Sequence, residues 1–149
     1  MKIILIEDDN YKADKIIEYL NYLGHNVILK QSYNSGLREI LRGDYEFALL
    51  DMTLPTFDTS HNNTVNFIRH FGGEDIISEL QRREKYLPSL VVTQYQTFDS
   101  GEKSIDELNE ELFKKYSPIY KGVLYYNSST IEWQKELREY LETGEKDDV

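Results

Sequence analysis

The sequence predicts an α/β domain, a doubly wound five-stranded parallel sheet with helices on both faces. Two observations predict it. Short apolar runs are continuous rather than alternating, as strands buried on both sheet faces require. Five such runs alternate with five amphipathic segments, which is the order of a parallel sheet wound by right-handed crossovers.

Taken in order, Ile3-Ile4-Leu5-Ile6 is the first strand. Ala13, Ile16, Ile17, Leu20 and Leu23 recur at helical spacing, and Gly24 supplies the stop. Val27-Ile28-Leu29 is a second strand, followed by a short helix marked by Leu37, Ile40 and Leu41 that ends near Gly43. Phe47-Ala48-Leu49-Leu50 is a third strand and runs straight into Asp51. A polar, asparagine-rich stretch over 58–73 reads as an inserted loop with an apolar patch at Val65, Phe67, Ile68 and Phe71, the last three expected to pack onto the sheet rather than to anchor a partner. A helix follows from about Glu74 on Ile76, Ile77 and Leu80, then a fourth strand, Leu90-Val91-Val92, entered after Pro88. Ser104 with Glu107 forms a capping box ahead of Ile105, Leu108 and Leu112. Gly122-Val123-Leu124-Tyr125 is the fifth strand. Ser129 with Glu132 forms a second capping box before a helix expected to bury Ile131, Trp133, Leu137 and Leu141. The domain is expected to span 1–143, with a frayed charged tail over 144–149.

Composition narrows the function. At 149 residues, with 40% hydrophobic and 30% charged residues, the chain has the balance of one globular domain. No apolar run approaches the roughly 20 residues of a membrane helix, and the opening Met1-Lys2-Ile3 turns acidic too soon for a signal peptide. There is no cysteine, hence no disulfide and no thiolate metal site, and a cytoplasmic location is expected. A formal charge of -10 without a basic stripe argues against direct nucleic-acid binding. The 12 tyrosines suit either half-buried positions or protein interfaces.

In a doubly wound sheet, ligands sit beyond the carboxyl ends of the strands, where strand order reverses. The first strand ends in Glu7-Asp8-Asp9, the third in Asp51 and the fourth in Thr93. Carboxylates gathered in one pocket repel unless a cation neutralises them, and hard oxygens suit Mg²⁺. Such a pocket can orient phosphoryl transfer onto a carboxylate, with a hydroxyl at Thr93 to bond a phosphoryl oxygen.

Ile4-Leu5-Ile6-Glu7-Asp8-Asp9 resembles the opening of CheY-like response-regulator receiver domains. Leu49-Leu50-Asp51-Met52-Thr53-Leu54-Pro55 resembles their phospho-acceptor segment, and Pro88-Ser89-Leu90-Val91-Val92-Thr93 their fourth strand. The motifs follow the family's order and the likeness covers 1–143. The resemblance implies Glu7 and Asp8 as the Mg²⁺-binding acidic pair, with Asp9 a substitute if the pair is read one place later. It implies Asp51 as phospho-acceptor and metal ligand, the Thr53 backbone carbonyl as a further ligand, and Thr93 as the phosphoryl-contacting hydroxyl. It implies a histidine kinase or phosphotransfer protein as donor, and a downstream protein, still unknown, as target. The role is that of a phospho-acceptor in a two-component phosphorelay rather than an enzyme, and a homodimer is open.

The sequence departs from the pattern in three places. The family's strand-five lysine, usually followed by proline, is missing: the stretch is Val123-Leu124-Tyr125-Tyr126-Asn127. Lys121 lies near the start of that strand, more than about 10 Å from the pocket at strand rise, so Tyr125 or Tyr126 fills the place. The inserted stretch over 58–73 and a longer charged segment over 94–117 are the other two.

Plainer readings stand beside these. The acids can be solvated loop residues, Thr93 a turn residue, and His61 and His70 surface histidines without a third ligand at fitting spacing. Two other functions compete with a working stand-alone receiver. One is a pseudo-receiver, an interaction module that is not phosphorylated, motivated by the missing lysine. The other is a Mg²⁺-dependent phosphohydrolase, which fits poorly because Thr53 stands where a second aspartate is common.

Overall fold

The structure, a computed structural model, describes residues 1–58, 66–98 and 100–143. In chain order the elements are β1 (Lys2–Ile6), α1 (Asn10–Tyr22), β2 (Asn26–Lys30), α2 (Tyr33–Arg42), β3 (Phe47–Asp51), β4 (Leu54–Pro55), β5 (Ile68–Arg69), α3 (Gly72–Arg82), β6 (Ser89–Thr93), β7 (Thr97–Phe98), β8 (Lys103–Ser104), α4 (Ile105–Tyr116), β9 (Tyr120–Tyr125) and α5 (Glu132–Thr143). Five strands make one parallel sheet in the order β2-β1-β3-β6-β9. The order reverses between β1 and β3, so the expected binding edge lies at their carboxyl ends.

Each central strand buries both faces, which is why its sequence is apolar throughout rather than alternating. On one face Ile4, Ile6, Ala48, Leu50 and Val91 pack against Ile40 of α2, Ile76, Ile77 and Leu80 of α3, and Leu108 and Leu112 of α4. On the other, Ile3, Leu5, Leu49, Leu90 and Val92 meet Ala13, Ile16 and Leu20 of α1 and Trp133, Leu137 and Tyr140 of α5. Burying each leucine or isoleucine contributes about 1.5–3 kcal/mol, so these two layers hold the strand ends in place.

The helix boundaries have local causes. Asp9 caps α1, accepting from the backbone N–H groups of Tyr11 and Lys12. Gly24 turns the chain out of α1 at φ +90, a conformation that L side chains resist. Ser32 caps α2, and Gly43 follows its last residue. Ser104 caps α4 through the Glu107 N–H, as its box predicts, although the Glu107 carboxylate meets the Ser104 hydroxyl rather than its N–H.

Four expectations need correction. The stretch over 58–73 is not loop throughout: β5 pairs antiparallel with β4, and α3 starts at Gly72 rather than near Glu74. Phe67 and Ile68 do not pack onto the sheet; they are exposed, because β4 and β5 form a separate two-stranded ribbon. Asn66 fastens that ribbon by bonding both the N–H and the carbonyl of Phe57. Ser129 does not cap α5. Its N–H is taken by the Asn127 side chain in a turn, and α5 begins only at Glu132. Ile131 therefore precedes the helix and is exposed at 73%, and Tyr140 takes the buried position beside Trp133 and Leu137. Val65, His61 and the tail over 144–149 lie outside the described residues. Among the described residues no helix is long and apolar enough to cross a membrane.

Candidate functional site

Ile6 of β1 lies opposite Leu50 of β3, so the next residues, Glu7 and Asp51, emerge side by side at the switch point. Glu7 and Asp51 are both buried, while the neighbouring Asp8 is exposed. One carboxylate oxygen from each of Glu7, Asp8 and Asp51 falls within 4.8 Å of the others. Asp9 does not join them, because its carboxylate is committed to capping α1. Helix capping thus sets Asp9 apart from the group that Glu7, Asp8 and Asp51 form.

Asp51 is held from behind. A Cβ added at Gly73 would stand 2.6 Å from the Asp51 carbonyl oxygen, so only glycine lets the first turn of α3 pack directly on that peptide. The Gly73 N–H also donates to the Met52 carbonyl at 3.1 Å. Thr53 follows in the turn into β4, and its hydroxyl donates to the His70 carbonyl. His70 itself is exposed. Thr93 is buried at the end of β6, where its hydroxyl accepts from the Tyr95 N–H at 3.1 Å. A hydroxyl that accepts there still has its own hydrogen to donate.

Lys12 of α1 is the residue that sequence reasoning passed over. It is only 2% exposed, and its ammonium lies 2.7 Å from Glu7 Oε1 and 3.5 Å from Asp51 Oδ1. It also stands 5.9 Å over the Tyr126 ring. A signal existed: Lys12, Ile16 and Leu20 are spaced by four, so the lysine sits on the buried stripe of α1. Lys121 is at the other end of β9, over the Tyr86 ring, as its position predicts.

The electrostatics are those of an overloaded anionic pocket. Burial, with the Asp51 charge added, pushes Glu7 up to about 8 despite Lys12. Burial also raises Asp8, with Glu7 adding to the effect. Burial raises Asp51 as well, with Lys12 opposing. Burial works against the Lys12 ammonium, but Asp51 and Glu7 together more than offset it, so its pKa is raised.

Three carboxylates against one ammonium leave two negative charges when all are ionised, the complement of a dication. Apart from the Lys12 ion pair, Glu7 Oε1 is buried without a hydrogen-bond partner among the described residues. The donors are all oxygens, and they fit Mg²⁺. Asp9, Lys12, Gln94, Tyr95, Tyr126 and Asn127 help line a cavity of about 370 Å³. A second cavity of about 440 Å³ opens between Thr53, His70, Tyr95 and the β7–β8 ribbon.

No protein-family model matches the chain. Over 141 residues it is 27% identical to the Detocs response regulatory protein DtcB of Enterobacter cloacae (strain JD6301), covering 90% of this chain and 94% of that protein. The response regulator receiver domain protein (CheY-like) of Methanospirillum hungatei JF-1 superposes with a TM-score of 0.64 at 17% identity, over 96% of this chain and 91% of that one. The receiver domain of the sensor histidine kinase PA1611 of Pseudomonas aeruginosa PAO1, which has a magnesium ion coordinated in its active site cleft, superposes at 0.61 with 20% identity, over 95% and 93%.

Proposed function

We propose that this chain, which has the fold of CheY-like response-regulator receivers, works as one: it accepts a phosphoryl group on Asp51 with the help of Mg²⁺ and signals by binding another protein. The observation that carries the reading is the meeting of the Glu7, Asp8 and Asp51 carboxylates within 4.8 Å at the switch point of the sheet. Glu7, Asp8 and Asp51, with the Thr53 carbonyl, would hold the ion, which when bound screens the charge on the phosphoryl oxygens.

An Asp51 carboxylate oxygen attacks phosphorus as the bond from phosphorus to the donor's leaving group breaks, and the leaving group departs with the electron pair. The product is an aspartyl phosphate. The first turn of α3 packs on the Asp51 peptide, and the Thr93 hydroxyl, which accepts from the Tyr95 N–H, would donate its own hydrogen to a phosphoryl oxygen. A histidine kinase or phosphotransfer protein is the expected donor, and the net charge of -10 favours a protein target over nucleic acid.

Incubation with Mg²⁺ and acetyl phosphate should add one phosphoryl group to the wild type by intact mass and none to Asp51→Asn. A wild type that stays unmodified with every donor would defeat the reading. A second reading is favoured by one observation: Tyr126, the residue just after β9, stands beside the pocket in place of a cation. In that reading the fold is an unphosphorylated interaction module, and a partner binds wild type and Asp51→Asn equally.

A further inference from the structure

We infer that Lys12, from the first helix, is the residue that contacts the transferred phosphoryl group, supplying the positive charge that the end of β9 lacks. The inference rests on the phospho-acceptor reading of Asp51 and assigns the site its cation.

The position is an unusual one for a lysine. An ammonium is costly to bury unless paired, and an apolar residue would complete the stripe of Ile16 and Leu20 without that cost. The chain instead places the ammonium between the two most buried acids of the pocket, 2.7 Å from Glu7 and 3.5 Å from the nucleophile. It also donates to the Val92 carbonyl at 3.5 Å, on the strand that ends in Thr93. The ammonium thus lies among the ends of β1, β3 and β6, and its side chain lines the cavity that opens toward Tyr95 and Asn127.

Tyr126 explains why the charge comes from α1. Its N–H donates to the Thr93 carbonyl at 2.7 Å, which sets it beside the pocket, and its buried ring lies under the Lys12 ammonium. The last position of that strand edge supplies an aromatic floor, and the helix supplies the cation above it.

Phosphoryl transfer then moves charge within reach of the ammonium. Before transfer Lys12 neutralises Asp51 Oδ1. When the Asp51 oxygen becomes a bond to phosphorus, the carboxylate loses its charge and the phosphoryl oxygens carry it. The ammonium follows, exchanging a carboxylate oxygen for a phosphoryl oxygen while Glu7 keeps it tethered. No co-reactant beyond the phosphodonor is needed.

The test compares wild type, Lys12→Met and the double variant Lys12→Met/Tyr126→Lys. Methionine keeps the length of the buried stem, and far-UV circular dichroism with a thermal melt confirms folding. Two quantities are read: the rate of phosphoryl incorporation from acetyl phosphate by intact mass, and Mg²⁺ affinity by calorimetry. Loss of a positioned charge should slow Lys12→Met about 100-fold. Its Mg²⁺ affinity should rise, because Glu7 no longer shares its oxygen with an ammonium, a change that a merely structural residue would not produce. The double variant should recover much of the rate.

A folded Lys12→Met that is phosphorylated at the wild-type rate overturns the inference and leaves Asp51 as acceptor. Slow incorporation with weakened Mg²⁺ binding and no recovery in the double variant also overturns it, assigning Lys12 a structural role. A wild type that incorporates nothing overturns both readings together.

Discussion

A buried carboxyl whose ordinary value is 4.5 but which titrates near 8 makes the metal-free fold sensitive to pH. Between those values folded Glu7 holds a proton that the unfolded chain has released. The native state therefore binds more protons, and stability falls as pH rises through that window. Asp8 and Asp51 are raised as well and act with the same sign. Thermal melts in EDTA from about pH 5 to 9 should show a falling melting temperature for wild type and a shallower fall for Glu7→Gln. Mg²⁺ needs Glu7 ionised, so its binding should expel a proton and strengthen as pH rises. At this scale the site was legible in part. Glu7, Asp8 and Asp51 announce themselves because each follows an apolar run, and a strand end has one address. Lys12 does not, since a lysine in an amphipathic helix reads as solvated until its spacing with Ile16 and Leu20 is weighed against the acids before it.

The first helix shows how an element allots neighbouring acids to different work. Asp9 satisfies two N–H groups at the start of α1, while Asp8, one residue earlier, joins the acidic group of Glu7 and Asp51. Asp9→Ala should therefore cost about 0.5–2 kcal/mol in denaturant melts and leave phosphoryl incorporation within a few-fold of wild type. Asp8→Ala should behave oppositely, with weaker Mg²⁺ binding and little loss of stability in the metal-free state. The five long strands and five helices were readable because each carries a full hydrophobic period. The ribbons β4–β5 and β7–β8 were not, because strands of two residues contain no period to detect. Ile131 misled for a related reason: it is apolar at the right spacing, but the Asn127 turn delays α5 past it.

For the molecule as a whole, the acidic site opposes the fold that builds it. Three acids crowd onto the edge of a chain whose formal charge is already -10. A dication that binds the native state alone should stabilise it by about 2.7 kcal/mol at a hundredfold excess over its Kd. For a domain of this size that is a rise of about 5–10 °C in Tm, which Asp51→Asn should reduce. Overall topology was legible because right-handed crossovers leave few ways to wind five parallel strands. The convergence of β1, β3 and β6 on one edge followed from it.

The irregularity in β9 carries one further consequence. Ser89 pairs with Tyr120 and Leu90 with Gly122, leaving Lys121 without an opposite number. Strand residues of like parity ordinarily share a face, yet Tyr120 packs with α3 and α4 while Leu124 and Tyr126 pack with α1 and α5. Lys121 is thus a spare beat that reverses the phase of the strand, and Tyr126 rather than Tyr125 turns toward Lys12 because of it. Removing Lys121 should close the ladder and leave both faces as they are. Removing Val123 should bring the strand back into its old phase beyond that point, turning Leu124 and Tyr126 to the wrong layer. Circular dichroism melts of the two deletions, one tolerated and one ruinous, would show that the facing of the site is set by counting residues in the last strand.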